Sequence, residues 1–147
     1  MEKPFESHRD GLTISTDITR INYDTVMDFL SRAYWAQGRT RQRVEHSFRN
    51  SLVFGVYDGL RLVGMARVVT DTIFIGWLCD VYIHEDYRSR GIGKWLLESI
   101  FSHPECKQVR RWILSTDDAH NLYTRYGFKT LPHPEHWMER LTPFADE

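Results

Sequence analysis

The run Arg88-Ser89-Arg90-Gly91-Ile92-Gly93-Lys94 carries the strongest chemical pattern in the sequence. Glycines at 91 and 93 let backbone N–H groups turn inward with no Cβ in the way. Ile92, Leu96, Leu97, Ile100 and Phe101 recur at helical spacing, which predicts a helix starting between Gly91 and Gly93. Its first turn supplies unpaired N–H donors and a partial positive charge. Arg88, Arg90 and Lys94 add full charges, and the whole makes an anion nest suited to a diphosphate. Trp95 after Lys94, and a single residue between the glycines, exclude a Walker A loop. Leu96 stands where a dinucleotide fingerprint has its third glycine. The plain alternative is a glycine turn with solvated arginines.

Asp80 is the one carboxylate or basic residue between Asp71 and His84, in an otherwise apolar run. Burial there is expected to raise its pKa, which suits a general base. The alternative is a carboxylate that only hydrogen-bonds backbone at a bulge. His84 is a second candidate base. Upstream, Tyr34 and Trp35 precede Arg39, Arg41 and Arg43. Aromatic rings beside guanidinium groups could hold an acceptor bearing a carboxylate or phosphate. A solvated basic face with Trp35 as a core plug is the competing reading. His133, His136 and Trp137 could line the other side. No histidine pair has helical metal spacing, so no metal is expected.

These residues need elements to position them. Residues 1–11 are polar and expected to be flexible. Leu12 to Thr19 suggests a strand. Asn22 reads as a helix N-cap with Ile21 and Val26 as a hydrophobic staple, and Thr40 as the cap of a second helix ending near Asn50. Leu52–Tyr57 and Leu62–Val69 form a hairpin about Asp58-Gly59. Ile73–Ile83 follows as an apolar strand, expected to be buried on both faces. After the helix from Gly91, Trp112–Ser115 reads as a short buried strand. A short helix capped by Asp117 or Asp118 should end at Gly127. Phe128–Leu131 and His136–Leu141 are expected as the last two strands. The fold class is α/β (α+β), with a largely antiparallel sheet.

A length of 147 residues fits a single domain, 1–147, and the formal net charge of −1 argues against a nucleic-acid or membrane-surface binder. Two cysteines are too few for a disulfide scaffold, and no apolar N-terminal run or membrane-length segment is seen. The expected location is the cytoplasm.

The stretch Asp80 to Gly93 resembles the signature of the GNAT superfamily of N-acetyltransferases, in which a strand leads into Arg/Gln-x-x-Gly-x-Gly/Ala. Leu122-Tyr123-Thr124-Arg125-Tyr126-Gly127-Phe128 resembles that family's second motif, Leu-Tyr-x-x-x-Gly-Phe. Two departures are Glu85, where the family often has Pro, and Thr116, where it often has Asn. The resemblance implies helices on both faces of the sheet and acetyl-CoA bound between two splayed central strands, here those containing Ile83 and Trp112. By the same resemblance the pantetheine would lie along Val81, Tyr82 and Ile83, and the pyrophosphate on Arg88, Ser89, Arg90, Gly91, Ile92, Gly93 and Lys94. Tyr123 would protonate the leaving thiolate, with Asp80, directly or through water, as base to the acceptor amine. Tyr34, Trp35 and Arg39 would contact the acceptor, a small molecule or a peptide. A homodimer through an exposed final strand is a further expectation. The alternatives are a non-catalytic acyl-CoA sensor on the same fold and a binder of some other phosphate ligand.

Overall fold

A computed structural model describes residues 3–147. Its elements run β1 (Glu6–Arg9), β2 (Leu12–Ser15), α1 (Tyr23–Ser31), α2 (Arg41–Arg49), β3 (Leu52–Asp58), β4 (Arg61–Thr70), β5 (Ile75–Ile83), α3 (Ile92–Ser102), β6 (Arg111–Ile113) and α4 (His120–Thr124). The six strands form one sheet in sequence order, antiparallel from β1 to β5, with β6 parallel to β5. The chain falls into two compact units, one ending at Ser115 and carrying the whole sheet, the other Thr116–Glu147. Among the described residues no helix is long and apolar enough to cross a membrane.

Capping sets the first two helices. The Asn22 side chain accepts from the Thr25 N–H, and the Thr40 hydroxyl accepts from the Arg43 N–H, each satisfying an orphan first-turn donor. Ile21 packs against the core that contains Val26, the other arm of the staple. Val26, Phe29, Leu30, Val44 and Phe48 then close over Val53, Tyr57, Met65 and Tyr82 on one sheet face. Phe29 stacks on Tyr82 with ring centroids 4.8 Å apart. The alternate β3 residue, Phe54, points to the opposite face and meets the ring of His103, the C-cap of α3. Helices therefore cover both faces of the sheet, as expected.

Several boundaries differ from the sequence reading. The segment expected to be flexible contains β1, paired with β2 from Glu6↔Ser15 to Arg9↔Leu12 and turned by left-handed Asp10 and Gly11. Polar outward side chains hide such an edge strand from periodicity. Met1 and Glu2 lie outside the described residues. β5 is not buried on both faces: exposed Ile75 and Trp77 alternate with buried Gly76 and Leu78. β6 is shorter than expected and starts at an exposed Arg111. Residues 128–131 and 136–141 form no strand; Pro134–His136 is a 3-10 turn instead.

Candidate active site

The ladder between β4 and β5 slips once. Met65 pairs with Tyr82 and Arg67 with Cys79, so Asp80 and Val81 together oppose Ala66. This is a β-bulge, and its first residue, Asp80, is left-handed at φ 52°, the backbone of the G1 type. The bulge turns the Asp80 carboxylate inward, where its side chain is 1% exposed. Oδ1 accepts from Trp35 Nε1 at 3.1 Å and from Arg39 Nη1 at 2.8 Å. Oδ2 accepts from Arg67 Nε at 2.9 Å, and Arg67 Nη1 also donates to the Ser51 hydroxyl. Tyr34 stands edge-on to Trp35, ring centroids 5.1 Å apart. Both rings are substantially exposed, as is the Arg39 side chain.

The expectation that burial leaves Asp80 with a raised pKa is overturned. Desolvation does push the carboxyl up, but the Arg39 charge and the hydrogen bond and charge of Arg67 together pull further down. The group lies below its ordinary value. Both oxygens of this carboxylate are thus occupied by donors from Trp35, Arg39 and Arg67. Trp35, Arg39 and Asp80, singled out separately in the sequence, thus form one cluster with Arg67, which sequence reasoning missed. Its signal was a lone arginine inside the apolar run Leu62–Val69, where an unpaired charge is not tolerated. Arg41 faces elsewhere, bridging Asp24 and Glu45.

β5 and β6 pair only from Ile75↔Arg111 to Trp77↔Ile113. Beyond Trp77 the outer edge of β5 has no ladder partner among the described residues, so the two strands part as the splay expectation required. The His84 N–H donates to Val63 O at 2.8 Å, toward β4. By alternation, Val81 and Ile83 turn their N–H and C=O groups to the open edge. The Ile83 carbonyl there accepts from Arg88 Nε at 2.9 Å. Arg88 therefore braces the end of β5, its guanidinium 5.2 Å from the centroid of the Tyr82 ring.

Past the 3-10 turn Glu85–Tyr87, the chain reaches the glycine loop. The Tyr87 hydroxyl donates to Asp58 Oδ2 at 2.6 Å, tying the loop to the β3–β4 hairpin. The Arg90 guanidinium lies 4.9 Å from the Tyr87 ring centroid. Ser89 and Gly91 are both left-handed, at φ 63° and 75°. Gly91 is the N-cap of α3 and has no side chain with which to cap the first turn of the helix. Left-handed residues leading into an uncapped helix start gather N–H groups into an anion nest. Its donor set and the open β5 edge fit a long ligand with a phosphate at one end.

In the second unit, α4 ends in a Schellman motif. The Phe128 N–H donates to Tyr123 O and the Gly127 N–H to Thr124 O, with Gly127 left-handed at φ 88°. The Phe128 ring packs edge-on to Tyr123, centroids 5.8 Å apart, which is the apolar contact that accompanies this motif. Gly127 is thus the helix stop and Phe128 the residue that seats Tyr123. The expected caps do not form: Ala119 is the N-cap, and its N–H donates to the Thr116 hydroxyl.

Residues 49–130 match the family described as the acetyltransferase (GNAT) domain. Over 90% of this chain and 94% of the other, the chain is 34% identical to a solved Xanthomonas campestris pv. campestris protein assigned to the GNAT family, with a TM-score of 0.86. It is 26% identical to a Gibberella zeae protein assigned as an acetyltransferase, over 86% of this chain and 84% of that one. The fold is also that of a GNAT family acetyltransferase from Elizabethkingia anophelis solved with acetyl-CoA bound. There the identity is 17% and the TM-score 0.62, over 92% of this chain and 90% of that one.

Proposed function

This chain belongs to the GNAT family of acetyltransferases, and from that premise we propose that it moves the acetyl group of acetyl-CoA to a primary amine by direct attack in a ternary complex. The observation that carries the choice of donor is the loop of left-handed Ser89 and Gly91 opening an uncapped α3, beside the unpaired edge of β5. The backbone of residues 88–94 would hold the pyrophosphate, with Arg88, Arg90 and Lys94 supplying charge. The backbone edge at Val81, Tyr82 and Ile83 would carry the pantetheine arm.

Acetyl-CoA supplies an acyl group already activated as a thioester, and the protein orients it. Tyr123 is the proposed acid: a tyrosine hydroxyl, with a reference pKa of about 10, is a proton donor suited to a departing thiolate. The acceptor enters as the neutral amine and its proton passes to solvent water. Asp80 keeps both oxygens filled and acts as a positioning residue, holding Trp35 and Arg39 in place. Tyr34, Trp35 and Arg39 form the acceptor wall. Arg39 spends one Nη1 donor on Asp80 and is 38% exposed, which favours an amine, small molecule or peptide, that also carries a carboxylate or phosphate.

The test is calorimetric titration with acetyl-CoA, CoA, ATP and NAD, followed by thiol release across a panel of amines with and without an acidic group. Selective acetyl-CoA binding and turnover greatest for acidic amines support the reading. Binding without turnover for any amine leaves a non-catalytic acyl-CoA sensor, and equal binding of ATP removes the choice of donor.

A further inference from the structure

The sequence offers no histidine pair at helical metal spacing, yet a 3-10 turn brings a different set together. Pro134–His136 forms one such turn, closed by the His136 N–H on His133 O at 2.9 Å and the Trp137 N–H on Pro134 O at 3.1 Å. Pro134 adds a fixed φ at its first position. The turn places three side chains on one side. His133 Nδ1 lies 3.3 Å from Glu135 Oε1, and His136 Nε2 lies 3.8 Å from the same oxygen. The two imidazoles stack, centroids 4.7 Å apart and 17° from parallel. All three ligand atoms fall within 4.8 Å of one another.

We propose that His133, Glu135 and His136 form a surface site for one divalent cation of borderline softness, with Zn²⁺ as the best fit. Bond lengths of about 2.0–2.2 Å at tetrahedral angles put neighbouring ligand atoms roughly 3.3–3.5 Å apart. One edge of the triangle already has that length, a second exceeds it by a few tenths of an ångström and the third lies within 4.8 Å. An imidazole ligates in its own plane, so His136 must turn out of the stack with His133 to complete the set, a rotation its exposure leaves free. Two imidazoles and a carboxylate are a nitrogen–oxygen set that suits Zn²⁺ better than the all-oxygen shells of Ca²⁺ or Mg²⁺. The three side chains are exposed, so an ion reaches them without any opening of the fold and keeps a fourth position for water. The other reading is a pair of histidine–carboxylate contacts on the surface, which contribute little by themselves. That reading needs an N–H on the imidazole nitrogen facing Glu135, whereas the metal site requires the facing nitrogen of both rings to be free of its proton.

Untagged protein stripped of metal and titrated calorimetrically with Zn²⁺ at pH 7.5 reads the site directly. One ion per chain is expected, together with a Co²⁺ adduct that shows the intense visible absorption of low-coordinate cobalt. His136→Ala or Glu135→Gln should weaken Zn²⁺ binding by more than the roughly 10–100-fold that changes outside the ligand set produce. His46→Ala, which removes a histidine from α2, should leave it unchanged. Absence of binding in the parent protein, or equal binding in the Glu135→Gln and His136→Ala proteins, overturns the proposal. All these residues lie outside 49–130, and the readout is independent of acetyl transfer.

Discussion

Arg67 donates its Nε to Oδ2 of Asp80 at 2.9 Å across the point where the β4–β5 ladder slips by one residue. The slip puts a carboxylate where regular alternation would not, and the arginine neutralises it. Arg39 and Trp35 then complete the pairing from the other side. The packing of β4 on β5 and the proposed acceptor wall therefore depend on the same carboxylate.

Removing the buried partner should matter more than removing the exposed one. Arg67, at 15% side-chain exposure, leaves Asp80 half-paired when replaced, so Arg67→Met should lower stability by about 3 kcal/mol. Arg39→Met, at a site 38% exposed, should lower it by about 1 kcal/mol or less. Urea midpoints at unchanged slope measure both.

The carboxyl of Asp80 lies below its ordinary value in the fold, so its ion pairs stabilise the protein above the unfolded pKa, near 3.8, and are lost as pH falls through the folded value. The stability gap between the parent and Asp80→Asn should be constant from pH 5 to 8 and close only in more acid solution. A gap that shrinks between pH 5 and 8 would show a raised carboxyl instead. For the same reason, any rise of turnover with pH in the neutral range should survive in Asp80→Asn.

Gly91→Ala tests the nest without a clash, because an added Cβ at this residue meets nothing within 4 Å. The remaining penalty is the left-handed backbone at φ 75°, about 1–2 kcal/mol. Either the loop keeps its shape and the melting temperature falls, or it relaxes and acetyl-CoA binds about 5–30-fold more weakly. Unchanged stability and unchanged affinity together would remove Gly91 from the nest.

Tyr123→Phe keeps the ring that packs on Phe128 and loses only the hydroxyl. Turnover should fall by about 10²–10⁴-fold, the usual worth of a positioned acid, while the calorimetric acetyl-CoA affinity stays within twofold, roughly 0.4 kcal/mol. Equal turnover in the two proteins would take the acid role from Tyr123.

Local signals read well from the sequence wherever one residue decides the outcome. Asn22 and Thr40 cap their helices, and Asp58-Gly59 turns its hairpin. Gly127 stops α4, and Gly91 opens α3. Trp35, Arg39 and Asp80 were each recognisable by type, but their convergence was not, since it spans some forty residues and depends on a bulge. Arg67 was hidden because a strand pattern averages over one charged position. Burial alone gives the wrong direction for Asp80, because Arg39 and Arg67 outweigh desolvation. The last two expected strands, residues 128–131 and 136–141, do not form, and the segment between them turns at Pro134–His136. β1 was overlooked because its side chains are mostly exposed.

The slip between β4 and β5 also bears on which changes of length this strand can survive. Asp80 and Val81 answer the single residue Ala66, so the two ends of β5 are out of phase by one residue. Deleting Val81 would restore an unbroken ladder, yet it would invert one half of the strand. Either Tyr82 leaves Phe29, or Trp77 and Cys79 exchange sides with Gly76 and Leu78. Descendants of this sequence can trade side chains along β5 far more readily than they can gain or lose a single codon within it.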